Sequence, residues 1–246
     1  MKVAEQKISV PVGGSHAEAF LYAPETAASG ILFLTDIFGI RDANLGMARR
    51  VAEHGYTVMV PNVFWRAGKL PIFDFEPKIG EERTMKRFGE LFASLSPDQM
   101  SSDAGDYLDF LAKNPHAKPG KMGAVGYCFT GAMAVRAAAA RPDMVDAAAS
   151  FHGGGLASDQ PTSPHLLLPQ IKARLYFGHA VEDRTMTPEM IAKLDAALKA
   201  WGGQFESEVY DGAHHGWTVP GRDVYNEKQA ERHYVKMFET FDTALK

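Results

Sequence analysis

Cys128 is the only cysteine among 246 residues, and it stands in "GAVGYCFTGAMAVRAAAARP" between Gly126 and Gly131. A solitary thiol cannot form an internal disulfide, so it serves as a nucleophile, a redox-responsive group or buried packing. Its neighbours favour the first. An apolar run ends at Tyr127, and an alanine-rich run follows. A strand that turns sharply into a helix strains the residue at its apex, and nearby glycines relieve the crowding. The apex side chain projects above a helix N-terminus, whose field favours negative charge and lowers a thiol's pKa. Gly126-Tyr127-Cys128-Phe129-Thr130-Gly131 has that form. It departs from G-x-S-x-G twice: cysteine replaces serine, and Thr130 occupies the second glycine's place, leaving Gly131 to supply close packing.

A nucleophile of this kind needs a proton acceptor and a group to orient that acceptor. Two downstream stretches supply them. "ARLYFGHAVEDRTMTPE" ends an apolar run with Glu182 and Asp183, and "FESEVYDGAHHGW" ends another with His214 and His215. Nucleophile, acid, histidine is the chain order of an α/β-hydrolase triad. All three fall just past the carboxyl ends of predicted strands, where open parallel sheets place their sites. Spacing leaves the choice within each pair open. The oxyanion donors expected with such a triad are the backbone N–H of Phe129, after the nucleophile, and of Ile37, after the third strand. No G-x-G-x-x-G, G-K-[ST], H-x-x-x-H or C-x-x-C spacing occurs with these residues, so neither a cofactor nor a metal is expected.

The positioning elements follow from periodicity. "KISVPV" and "HAEAFLYAP" read as antiparallel strands joined at Gly13-Gly14, "GILFLTD" (30–36) as a buried strand, and "YTVMVPNVF", "KMGAVGY", "DAAASFHGGG", "ARLYFGHA" and "FESEVY" as further strands. Helices are predicted over "NLGMARRVAEHGY", about 80–94, about 98–113, "CFTGAMAVRAAAARP", "TPEMIAKLDAALKAWGG" and about 223–244. Strands alternating with helices imply a mainly parallel sheet covered on both faces, an α/β-hydrolase fold in one domain spanning 1–246. The Pro-, Gly- and aromatic-rich stretch 62–80 reads as a cap or rim of the active site.

Composition sets outer bounds. Hydrophobic residues make up 46%, enough for a substantial core, and the net charge of −4 argues against a nucleic-acid surface. "MKVAEQKISVPVGG" lacks a signal peptide's apolar region, and no apolar run approaches ~20 residues. The expectation is a cytoplasmic protein, a monomer or small homo-oligomer, with no membrane partner and a small-molecule substrate.

"GYCFTGA", "AVEDRTMTPE" and "YDGAHHGW" resemble the three catalytic blocks of dienelactone hydrolases, the cysteine branch of the α/β hydrolases, and "LTDIFGI" resembles that family's block after the third strand. The resemblance implies Cys128, Asp183 and His215 as triad, acting on a small carboxylic ester or lactone in the manner of a carboxymethylenebutenolidase. It also exposes departures. The family usually has glutamate at Asp36, touching the resting cysteine; Asp36 is shorter, and pairing with Arg41 is its alternative. The family's two substrate-binding arginines imply Arg83 or Arg87 for one, while Val219, with Arg222 slightly later, stands where the other would be. Phe38, Trp65, Arg66, His152 and Trp217 are further rim candidates. These departures keep a second expectation alive, a relative with little or no catalysis that binds a small ligand or uses Cys128 as a redox-responsive thiol.

Overall fold

The computed structural model describes residues 1–246. Eight strands form one sheet: β1 (Val3–Val12), β2 (Ser15–Pro24), β3 (Ala28–Leu34), β4 (Thr57–Pro61), β5 (Ala117–Tyr127), β6 (Val145–Phe151), β7 (Arg174–His179) and β8 (Phe205–Val209). Their order is β1-β2-β4-β3-β5-β6-β7-β8. The β1–β2 and β2–β4 pairs are antiparallel, and every pair from β4 through β3 to β8 is parallel. Six α-helices complete the fold: α1 (Asp42–Glu53), α2 (Glu82–Ala93), α3 (Pro97–Ala112), α4 (Gly131–Ala140), α5 (Pro188–Trp201) and α6 (Glu227–Leu245). This is the α/β-hydrolase architecture that the alternation of elements predicts.

Burial explains the sequence pattern. β3 and β4 are apolar without alternation because helices cover both faces of the sheet. The core accordingly divides in two. Leu91, Tyr107, Ala134 and Leu194 belong to the side of α2 to α5, and Met47, Val51, Met237 and Phe241 to the side of α1 and α6. Caps fix the helix ends near the site. Ser96 and Gln99 form a reciprocal capping box before α3 with Pro97 in its first turn, and Thr187 caps α5 before Pro188. α5 stops at Gly202 in the left-handed region, φ 74°.

The structure departs from the expected elements in two places, each for a local reason. The predicted helix from Cys128 begins as a single 3-10 turn, Cys128–Thr130, before α4 takes over. A second 3-10 segment, Pro164–Gln170, lies where no element was predicted; its three leucines and internal proline carry no helical period long enough to read. Residues 62–80 have no regular structure. No helix is long and apolar enough to cross a membrane.

The chain leaves β3 toward β4 on one side and returns to β5 on the other. That reversal opens a crevice at the carboxyl ends of β3 and β5, the place where open α/β sheets bind ligands.

Candidate active site

Cys128 sits at that crevice, in the turn between β5 and α4, with φ +58°. Left-handed backbone at a non-glycine residue costs roughly 1–3 kcal/mol, and the surroundings hold it there. A Cβ on Gly126 would lie 2.1 Å from the Thr130 carbonyl oxygen. A Cβ on Gly131 would lie 2.4 Å from Ser150 Oγ and 2.7 Å from Gly153 Cα, so this glycine permits the close packing of α4 on β6. Thr130, in the usual second glycine's place, has its own task. Its Oγ accepts from the Tyr127 N–H at 3.1 Å, and its proton faces Leu34 O at 2.9 Å and Tyr127 O at 3.0 Å. The threonine thus ties the elbow to the end of β3.

The loops after β7 and β8 meet over the sulfur. Val181 N–H donates to Ala213 O at 2.8 Å, pinning one loop to the other. His215 Nε2 lies 3.0 Å from Cys128 Sγ, and His215 Nδ1 lies 2.6 Å from Asp183 Oδ2. Asp183 is buried, and its second oxygen accepts from Thr185 N–H at 2.8 Å and Thr185 Oγ at 2.7 Å. Gly154 allows this, because a Cβ there would come within 2.8 Å of Thr185 Oγ. The rivals stand apart: His214 and Glu182 are both solvent-exposed and hydrogen-bond to neither the sulfur nor the ring.

Electrostatics separates the histidines. Burial opposes charge on His215, but the hydrogen bonds its ring makes to Asp183 and Cys128 outweigh it and push its pKa up to about 10. Burial also opposes charge on Asp183; its bonds to His215 and Thr185 prevail and hold its carboxyl below the usual range. His152, fully buried at φ +40°, is driven well below its ordinary value by burial and then by the neighbouring His215.

Ile37 N–H, just past β3, makes no hydrogen bond within the protein, and Phe129 N–H lies in a first helical turn, where donors lack intrahelical acceptors. Asp36 is engaged elsewhere. Its oxygens take Arg41 at 2.7 and 2.5 Å and the Phe38 N–H at 3.0 Å, and no hydrogen bond runs to Cys128. The shorter side chain meets the arginine five residues on.

A cavity of about 350 Å³ opens at the sulfur, bounded by Cys128, His215, Thr185, Phe129, Ala132 and Arg136 among others. Several sequence candidates lie off it. Arg83 pairs with Asp74, exposed, and Arg87 bonds to Ala67 O, Ile72 O and Glu90. Both therefore serve the 62–80 segment, because α2 turns that face toward it. Arg66 and Trp65 Nε1 converge on buried Asp103. Phe38 packs on Phe73 and Phe88 in the core. His152 and Trp217 are buried, the His152 ring 5.1 Å from His215 and 5.0 Å from Trp217, so His152 backs the His215 ring, Trp217 backs His152, and neither lines the cavity. Val219 is fully buried, whereas half-buried Arg222 stacks on Phe38 at 4.4 Å, with burial opposing its charge more than Asp36 supports it.

The cavity wall comes instead from residues 154–164 and from Phe92, Pro97 and Met100, with 62–80 touching the site through Phe64 stacked on Phe129. Thr185 and Arg136 escape sequence reasoning. "DRT" after a strand hints at a hydroxyl two residues from the acid, but nothing local marks an arginine inside an alanine-rich helix.

Comparison with known proteins agrees with this fold. A sequence model of the dienelactone hydrolase family matches residues 17–245. A carboxymethylenebutenolidase of Rhodococcus opacus is 27% identical over 238 residues, 94% of this chain and 89% of that protein. Among solved structures, a Klebsiella pneumoniae protein superposes with a TM-score of 0.86 at 20% identity, over 98% of this chain and 99% of its own. A metagenomic dienelactone hydrolase-like promiscuous phosphotriesterase gives 0.81 at 17% identity over the whole of both chains.

Proposed function

The chain belongs to the dienelactone hydrolase family, and on that premise we propose that it hydrolyses small carboxylic esters or lactones through Cys128, His215 and Asp183 by way of a thioester. The observation that carries this reading is the sulfur–imidazole–carboxylate chain, 3.0 Å and 2.6 Å long, at the floor of an open cavity.

His215, raised to about 10, is placed to take and hold the proton that the sulfur gives up, so the attacking species is a thiolate beside a cation. Sulfur adds to the carbonyl carbon. The oxyanion that forms accepts from the N–H groups of Phe129 and Ile37; losing one such donor costs about 100- to 1000-fold in rate. The tetrahedral adduct collapses, the C–O bond breaks, and His215 gives its proton to the leaving oxygen. Water then loses a proton to neutral His215 as it adds to the thioester, and the second collapse returns the thiolate and its imidazolium. Asp183 holds the ring tautomer and offsets its charge. The name of the Rhodococcus relative, a carboxymethylenebutenolidase, supports the choice of substrate class.

A panel of activated esters and lactones tests this. Turnover is expected in the parent and lost in Cys128→Ala; equal turnover in both would remove the reaction from this site. Cys128→Ser is a weaker control, since a hydroxyl there could still turn over.

A further inference from the structure

Resting on that reading, we propose that Arg136 selects substrates carrying a carboxylate at the far end of an apolar arm, such as half-esters of medium-length dicarboxylic acids. Cys128, Ala132 and Arg136 recur every four residues, so they line one stripe along the elbow and α4, and all three bound the cavity. Arg136 is 5% exposed. One Nη donates to Thr162 O, the other to Ser101 Oγ at 3.4 Å, and Nε has no partner.

No carboxylate touches this guanidinium. Asp98, the one acid that pulls on it, is exposed and makes no hydrogen bond to it. Arg41, Arg66 and Arg141, also largely covered, each grip an aspartate. A buried cation without a counter-charge is costly. The N-terminus of α3, whose Ser101 meets the guanidinium, adds positive potential at this end of the cavity. An anionic ligand group supplies the missing charge, and the guanidinium fork suits a carboxylate.

The spacing sets the arm. Eight residues of helix rise roughly 12 Å, and the lean of helical side chains toward the N-terminus shortens the gap between sulfur and guanidinium. Phe129, Ala132 and Met100 flank that interval, so the arm between carbonyl and carboxylate is a hydrocarbon of several carbons.

The test compares aryl half-esters of glutarate, adipate and suberate with aryl esters of pentanoate, hexanoate and octanoate, plus a set carrying the carboxylate on the alcohol. In the parent, kcat/KM should favour the charged member of one set. That ratio should fall about 10- to 100-fold in Arg136→Met, the worth of a hydrogen bond to a charged group, and be partly kept in Arg136→Lys. No preference in the parent, or an unaltered ratio in Arg136→Met, overturns the assignment. Should the methionine variant fail to fold, the lysine variant decides, together with inhibition of the parent by free suberate against octanoate; equal inhibition overturns it. If no ester is turned over at all, the hydrolase reading fails separately. Calorimetric binding of adipate to Cys128→Ala, with and without Arg136→Met, then decides the anion site: binding lost with the arginine supports it, and no binding to either defeats it.

Discussion

At Cys128 the governing quantity is the position of one proton. His215 is the acceptor placed to take it: two hydrogen-bonded partners raise the ring to about 10 against the opposition of burial. A sulfur with such an acceptor beside it reacts faster than one without. Alkylation by iodoacetamide should show this directly. The rate constant at neutral pH is expected to fall in His215→Ala, which leaves the sulfur without the proton acceptor 3.0 Å away. An unchanged rate in His215→Ala would refute activation by the imidazole. Because alkylation needs no substrate, the result stands apart from whichever ester the protein turns over.

The elbow is an element-scale device, and its parts can be separated. Gly126 and Gly131 are required by contact: the first faces a backbone carbonyl, the second a serine and another glycine's Cα. Alanine at either position forces the turn to move, at about 1–3 kcal/mol or more by the measure of overpacked cores. Thr130→Val strips an acceptor from the Tyr127 N–H and should cost about 1–3 kcal/mol, while Thr130→Ser should keep most of the bond. Urea unfolding curves give these values; a neutral Gly126→Ala would mean the close approach is not the reason for the glycine. Much of this was legible beforehand, since an apolar run, two glycines and an alanine helix are all local. The mainly parallel character of the sheet and the chain order of Cys128, Asp183 and His215 were legible from strands alternating with helices. Residues that meet only across the fold were not. Arg136 reads as one more helix position, and the 154–164 wall as a loop after "FHGGG". The family resemblance implies Arg83 or Arg87 as one substrate ligand, yet α2 turns both onto the 62–80 segment.

The whole molecule couples its stability to pH through histidines in opposite states. His152, His179 and His233 are buried and held neutral, all by burial first; His179 is lowered to about 4, His233 to about 3, and His152 well below its ordinary value. Their folded pKa values lie below the unfolded value of about 6.5. The stability they allow is full above about 6.5 and is lost as pH falls, because the unfolded chain takes up three protons that the fold refuses. Asp183, also lowered, adds a loss of the same sign further into acid. His215 is the reverse case. Raised to about 10, it contributes fully below about 6.5 and loses that contribution as pH climbs toward 10. Stability should therefore peak near neutrality and fall asymmetrically. The acid limb is steeper, approaching on the order of 4 kcal/mol per pH unit for three protons, against one proton on the alkaline limb. Urea unfolding from pH 4.5 to 9.5 at constant ionic strength measures both limbs. His179→Gln should reduce the acid slope by about a third, and His215→Gln should flatten the alkaline limb. A curve equally steep on both sides, or an acid slope unchanged in His179→Gln, would show that these rings are not the groups that set it.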